Sequence, residues 1–310
     1  MENYFGELIA LVVAISWTVT ALFFEYAGKQ IGSVAVNLFR LLFAFVLLGG
    51  MLWFATGSFM PAGADGRTWF WMSLSGFIGF VFGDFCLFYS YLLITARFSQ
   101  LIMTLAPPIA AFFGYMMLDE RLSLMGALGM IVTLTGIAIS IFKRNNNGSI
   151  RLNLSVRGLL FAFGGAFGQG LGIVLSKKGM LYYNQIEGLS QQTIDYIPFA
   201  ATQMRIITGI VGFVLIMLLT NRIKDFKNAL TNKKAMGATF MGAIFGPFVG
   251  VSLSLMAVMY ADTGVASTIM ATTPIIILIP YVLIYKKRIS TIEVLGAVIS
   301  VVGVSLFFVK

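Results

Sequence analysis

Gly79-Phe80-Val81-Phe82-Gly83 lies inside a long apolar run, and Gly246-Pro247-Phe248-Val249-Gly250 lies inside another, 167 positions further on. At that same shift Pro107 falls on Pro274, Arg121 on Arg288, Ser123 on Ser290, Gly129 on Gly296 and Gly136 on Gly303, with no gap. Gly tolerates close approach, and Pro fixes φ and removes a donor, so neither is easily replaced in its backbone role. A register carried by such residues marks a duplicated unit rather than two runs of similar composition. Upstream, Arg40 falls on Arg205 at a shift of 165 and Gly6 on Gly158 at 152. The shift therefore grows by 13 between the sixth and seventh apolar runs, which places an insertion in the second copy near Gly179–Pro198.

Each run is long enough to cross a bilayer, whose hydrocarbon layer of ~30 Å takes about 20 apolar residues as a helix. Ten such segments are expected, at roughly 6–26, 33–55, 69–93, 97–118, 123–142, 157–178, 199–220, 236–260, 263–285 and 290–309. Only helices satisfy the backbone of such runs internally. The 310 residues are 59% hydrophobic and 11% charged, against about 25% charged in soluble domains. The first run follows Glu2 and Glu7 rather than a basic stretch and has no small-residue cleavage site, so it reads as a span. The organisation is thus a first five-helix unit over 6–142, a basic polar linker over 143–156 and a second unit over 157–309. Five spans per unit force the copies into opposite orientations. The fold class expected is an all-α integral membrane protein of ten transmembrane helices in two inverted repeats. In that architecture a substrate site lies near the bilayer midplane between the halves.

Composition also excludes functions. With no His and a single Cys, Cys86, there is no His-ligated metal site, no Ser-His-Asp catalysis and no internal disulfide. No metal or cofactor is expected, and no GxxxxGK[ST] loop supports ATP-driven pumping. The adjacent acids Asp119-Glu120 stand beside Arg121 in a repeat-derived turn, a poor basis for a metal-dependent membrane enzyme. No selectivity sequence marks a channel. A carrier of small molecules is therefore the leading reading, with an integral membrane enzyme or a channel as alternatives. Net charge is +9, but the basic residues sit in gaps between apolar runs, where they act as topology determinants rather than nucleic-acid contacts. Six Lys/Arg fall on the side holding the termini and fifteen on the other. The positive-inside rule then puts both termini outside a plasma or inner cell membrane.

Among candidate transport residues Asp84 is foremost. A lone carboxylate inside a span costs about 2.5–3.5 kcal/mol on translocon scales and should face a wet cavity or find a partner. It is a candidate amine ligand or proton carrier, set against a structural helix contact. Phe88 and Tyr91 follow at i+4 and i+7 on the same face. Trp17 and Gln169 are repeat mates at shift 152, and would meet a substrate from opposite sides if the first and sixth spans line the cavity. Arg40 and Arg205 are expected to snorkel to headgroups, the alternative being a cavity-facing cation for an anionic group. Asp84 and Arg40 together would suit a zwitterion. Pro107 and Pro274 are candidate hinges for alternating access, or static bends. Glu120 with Arg121 reads as an interfacial ion pair or a helix-end contact.

Leu105-Ala106-Pro107-Pro108, Leu118-Asp119-Glu120-Arg121-Leu122-Ser123, Gly129 and Gly136 together resemble the EamA family of the drug/metabolite transporter superfamily. Asn37-Leu38-Phe39-Arg40 is similar to that family's Arg near the start of the second span. Asp119 stands where that family usually has Gly, and the second copy reads Lys286-Lys287-Arg288, without the acid. The resemblance covers both units. It implies secondary transport of small metabolites or drugs, often export, with no ATP site. It also implies cytoplasmic termini, opposite to the charge count.

Overall fold

The computed structural model describes residues 4–141, 155–277, 280 and 291–306, and no strand occurs among them. The helices run α1 Phe5–Ile31, α2 Ser33–Thr56, α3 Gly66–Ala96, α4 Phe98–Leu118, α5 Leu124–Ile141, α6 Val156–Asn184, α7 Ile197–Leu219, α8 Lys233–Tyr260, α9 Thr263–Ile276 and α10 Thr291–Ser305. Seven of them are long and apolar enough to cross a membrane, and Leu124–Ile139, Thr263–Ile276 and Val294–Ser305 are shorter apolar segments. Most lie where the hydropathy pattern puts them. The repeat mates α1 and α6 both run on, to Ile31 rather than 26 and to Asn184 rather than 178; the inserted stretch after α6 then forms a short helix, Gln191–Asp195. Most of the linker over 143–156 and the basic turn Lys286-Lys287-Arg288 lie outside the described residues.

Polar side chains set several helix starts. Asp65 accepts from the Thr68 amide (2.8 Å) at the head of α3, and Asn232 accepts from the Ala235 amide (3.1 Å) at the head of α8. Each satisfies one of the orphan amides of a first turn. Between α1 and α2 the chain reverses at Gly32, whose φ of 80° is open to glycine and strained for other residues.

Two helices contain a stretch of π-helix, Phe77–Asp84 in α3 and Ile244–Val251 in α8. The shift of 167 that aligns the two copies carries one onto the other. Such wide turns disturb the carbonyl ladder, and here the affected carbonyls meet equivalent places. Phe245 O accepts from Ser16 Oγ at 2.6 Å. Its repeat mate, Ile78 O, faces Gly168, where an added Cβ would stand 2.7 Å from it. Ser16 and Gly168 are themselves repeat mates at shift 152.

Glycine contacts give the directions of neighbouring helices. A Cβ on Gly136 would strike Ser300, and one on Gly303 would strike Thr133, so α5 and α10 run antiparallel. Ser300 Oγ also donates to Thr133 O at 3.1 Å. Helices α1 and α8 are likewise antiparallel, with Gly6 against Ala257 and Ala261, Ser16 against Phe245, and Phe24 against Gly242.

One buried cluster, built around Val13, Met72, Met204, Leu255 and Ile269, fills one half of the bundle. The turns at that end meet there: Tyr183 donates to Ala62 O (2.5 Å) and Gln203 donates to Phe59 O (2.9 Å). A second cluster, including Phe24, Phe39, Phe88 and Ala229, lies at the opposite end. There Asn232 donates to Gln30 Oε1 at 2.9 Å, joining the α7–α8 connection to the end of α1.

Candidate functional site

Between these clusters lies a cavity of about 860 Å³, its mouth included. Its walls come from α1, α2, α3, α4, α6, α8 and α9, so both copies contribute. On α1 the lining begins at Trp17 and ends at Phe24; on α3 it runs from Phe80 to Tyr91; on α4 from Gln100 to Pro107. These are the helix portions nearest the Gly32 turn and the α3–α4 turn. The half around Val13 and Met72 is closed by packing.

Six of the residues singled out from sequence meet in this cavity: Asp84, Arg40, Trp17, Gln169, Phe88 and Tyr91. The π segment ends at Asp84, and Phe88 and Tyr91 follow on the same face of α3. Asp84 is paired with Arg40 through Nη2. The Arg40 Nε donates to Asn37 Oδ1 at 2.9 Å, one turn earlier on α2. The guanidinium sits among three rings, 4.8 Å from the centroid of Phe88, 5.4 Å from Phe80 and 5.7 Å from Phe24, in the range of cation–π attraction. Tyr91 Oη accepts from Gln100 Nε2 at 2.8 Å.

The expectation that Arg40 and Arg205 snorkel is corrected. They are 3% and 4% exposed. Arg40 turns inward because Asp84 and Asn37 give it acceptors inside the bundle. Arg205, on α7, has its Cζ 4.6 Å from the centroid of Phe80, the ring that Arg40 also covers. Room for it is made by Gly79, where a Cβ would lie 2.7 Å from its Nη2. Among the described residues no hydrogen-bond acceptor reaches Arg205, and its Nε is buried without a partner. Nothing in the one-dimensional pattern joined Arg205 to Asp84; the available signal was its standing as the repeat mate of Arg40. Two further cavity residues, Gln100 and Ser267, also went unread, being uncharged and common in apolar helices.

The two prolines are not alike. Pro107 lines the cavity, whereas Pro274 does not. Neither removes a bond from a continuous helix. α4 is interrupted at Thr104-Leu105 and α9 at Ala271-Thr272, and each proline stands in the first turn after the break. There its missing N–H is one of the amides left over in any case.

On the closed end, Glu120 pairs with Lys177 (2.7 Å) rather than with its neighbour Arg121. Its other oxygen accepts from the Thr263 amide (2.8 Å), capping α9 from the α4–α5 turn. Lys177 also donates to Ala261 O at 2.7 Å. Glu120 thus ties the α4–α5 turn to α6 and to the start of α9. Among the described residues no cluster of side chains could hold a metal ion.

A bundle of apolar helices around an internal cavity with a largely buried ion pair defines a multi-pass membrane protein with room for a small solute. The chain belongs to the EamA-like transporter family, whose sequence model matches residues 4–142 and again 156–309. It is 27% identical over 143 residues to the "Uncharacterized transporter YoaV" of Bacillus subtilis, a match over 44% of this chain and 47% of that one. It is 36% identical over 69 residues to the "Uncharacterized membrane protein YMR253C" of Saccharomyces cerevisiae, over 22% of this chain and 16% of the relative. These matches thus span half or less of the relatives' own lengths. A solved crystal structure of 14% identity superposes with a TM-score of 0.68 over 97% of this chain and 96% of its own, and shows the fold alone.

Proposed function

We propose that the chain is a secondary transporter working by alternating access, its ten helices forming two inverted five-helix repeats around the cavity. The observation that carries this is the cavity itself: it lies between the halves, is walled by both, and holds a largely buried Asp84–Arg40 pair. The antiparallel pairing of the repeat mates α5 and α10 supports the inversion. So does the placement of equivalent connections: Phe59, between α2 and α3, meets Gln203 at one end, while Asn232, between α7 and α8, meets Gln30 at the other.

In this reading the cavity opens toward the basic end, which the charge count assigns to the cytoplasm of a cell membrane. The Glu120–Lys177–Thr263 contacts hold the other end shut. Opening that end requires α9 and the α4–α5 turn to part, and the interruptions before Pro107 and Pro274 give α4 and α9 places to bend. The cargo class is small metabolites such as amino acids or drugs, and export is the direction, readings that the family resemblance supports. A proton reaching Asp84 would release Arg40, which offers a route for coupling.

A thermal-shift screen of the purified protein against amino acids, nucleosides, sugars and cationic drugs finds the ligand, since binding to the folded state raises the melting point. Counterflow of the hit in proteoliposomes is expected to be stimulated by the same compound on the opposite side. Flux indifferent to the far compartment indicates a channel, and chemical conversion indicates an enzyme; either result ends the carrier reading.

A further inference from the structure

We infer that the cavity takes an organic monoanion, a carboxylate on an apolar or aromatic body, in preference to a cation, a zwitterion or a neutral solute, which narrows the cargo class proposed above and sets zwitterionic amino acids below anionic metabolites. This rests on the cavity being the transport site.

The argument begins with charge. Two guanidiniums, those of Arg40 and Arg205, lie against the Phe80 ring, and a single acid, Asp84, pairs with the first. The acid is already bound to one of the two bases. A free carboxylate for a substrate amine is therefore missing, and one positive charge is left without a counter-ion. Glu25 does not supply it, because it pairs with Lys29 at 2.6 Å. Arg40 and Asp84 are the only Asp, Glu, Lys or Arg side chains in the cavity wall, among the described residues. An uncompensated charge away from water is expensive. A bound anion removes that cost and a bound cation adds to it.

Hydrogen bonding points the same way. A guanidinium carries five N–H donors. The Arg40 Nε and Nη2 are engaged by Asn37 and Asp84. Nη1 has no protein acceptor among the described residues, on a side chain that lines the cavity. Three rings crowd this guanidinium, and its free N–H edge is the part that a carboxylate oxygen engages. Arg205 adds a second cation with no acceptor of its own.

The rest of the wall suits an apolar body with a few polar points. Phe24 and Phe88 lie 5.0 Å apart and Phe88 and Tyr91 5.5 Å apart, forming one aromatic face. Ser267, also in the lining, has its Oγ buried without a partner, a group that a ligand oxygen or nitrogen can satisfy.

Four probes of one shape test this: phenylacetate, phenylacetamide, phenethylamine and phenylalanine, each used for thermal shift and counterflow with the full-length protein. Phenylacetate is expected to stabilise at concentrations at least tenfold lower than the other three. Arg205→Gln should erase most of that preference, while Arg205→Lys, which keeps the charge, should retain it and controls for misfolding. Phenethylamine or phenylalanine leading, phenylacetate and phenylacetamide equal, or no shift with any probe overturns the inference. Counterflow of phenethylamine or phenylalanine would leave the carrier reading intact while removing this one. Binding without trans-stimulated exchange would do the reverse.

Discussion

Asp84 is the residue the sequence singles out most sharply, because a carboxylate in the middle of a span demands a partner. Which partner was invisible: Arg40 is 44 positions away and looked like a headgroup contact. Glu120 was read against Arg121 for the same reason, adjacency being all a sequence offers, and it pairs instead with Lys177. The outer cluster around Glu120 has a titratable neighbour in Asp262, in the turn before α9. Partial burial first, and then the Glu120 carboxylate, push its pKa above the ordinary 3.8, with Lys177 opposing. A carboxyl with a raised folded-state value favours folding most when the pH is below its unfolded value. That contribution is lost as pH rises through the folded one. Asp262→Asn should therefore melt at a higher temperature than the parent near neutral pH. The difference should close as pH falls below the ordinary carboxylate range, a comparison thermal melts at a series of pH values can make.

At the level of elements, spans were legible because a bilayer-length apolar run has one solution, a helix, while details that depend on a neighbour were not. The π segments are an example. Nothing in Phe77–Asp84 announces a widened turn; the glycines recorded only that something comes close. What comes close is backbone: a Cβ on Gly168 would lie 2.5 Å from the Gly83 Cα. Gly168→Leu should force α3 and α6 apart and cost about 1–3 kcal/mol or more, as overpacking does. Gly237, with open space around it on α8, supplies the contrast. Gly237→Ala should be neutral or stabilise by about 0.5–1 kcal/mol through helix propensity alone. Melting of both variants in the same detergent separates a packing glycine from an incidental one.

For the whole molecule, the duplication could be read because Gly and Pro kept their places, and the cavity could be anticipated between the copies. Its charge balance could not, since Arg205 joins the site from α7, a helix that contributes nothing to the cavity wall. Inversion makes a prediction that belongs to the molecule alone. Cysteines replacing Met60 and Asn228, in equivalent connections of the two copies, are introduced one at a time after Cys86→Ser. An impermeant maleimide added to intact cells should label Met60→Cys, and should label Asn228→Cys only after permeabilisation. The reverse pattern keeps the inversion and turns the protein over in the membrane; equal labelling of both in intact cells rules the inversion out.

The paired wide turns of α3 and α8 also bear on how the chain tolerates a change in length. A π-bulge holds a surplus residue relative to a regular α-helix. Deleting one residue within Ile244–Val251 can therefore leave a regular α-helix whose two ends keep the faces they present now, because the surplus residue adds no net turn. The same cut at Ser252, in regular α-helix, would turn everything beyond it by about 100° around the axis, carrying the buried Leu255 and Val258 out of the core they share with Val13. A secondary-structure signal almost unaltered by either deletion, beside a melting temperature that collapses only for the second, would be the mark of that rotation.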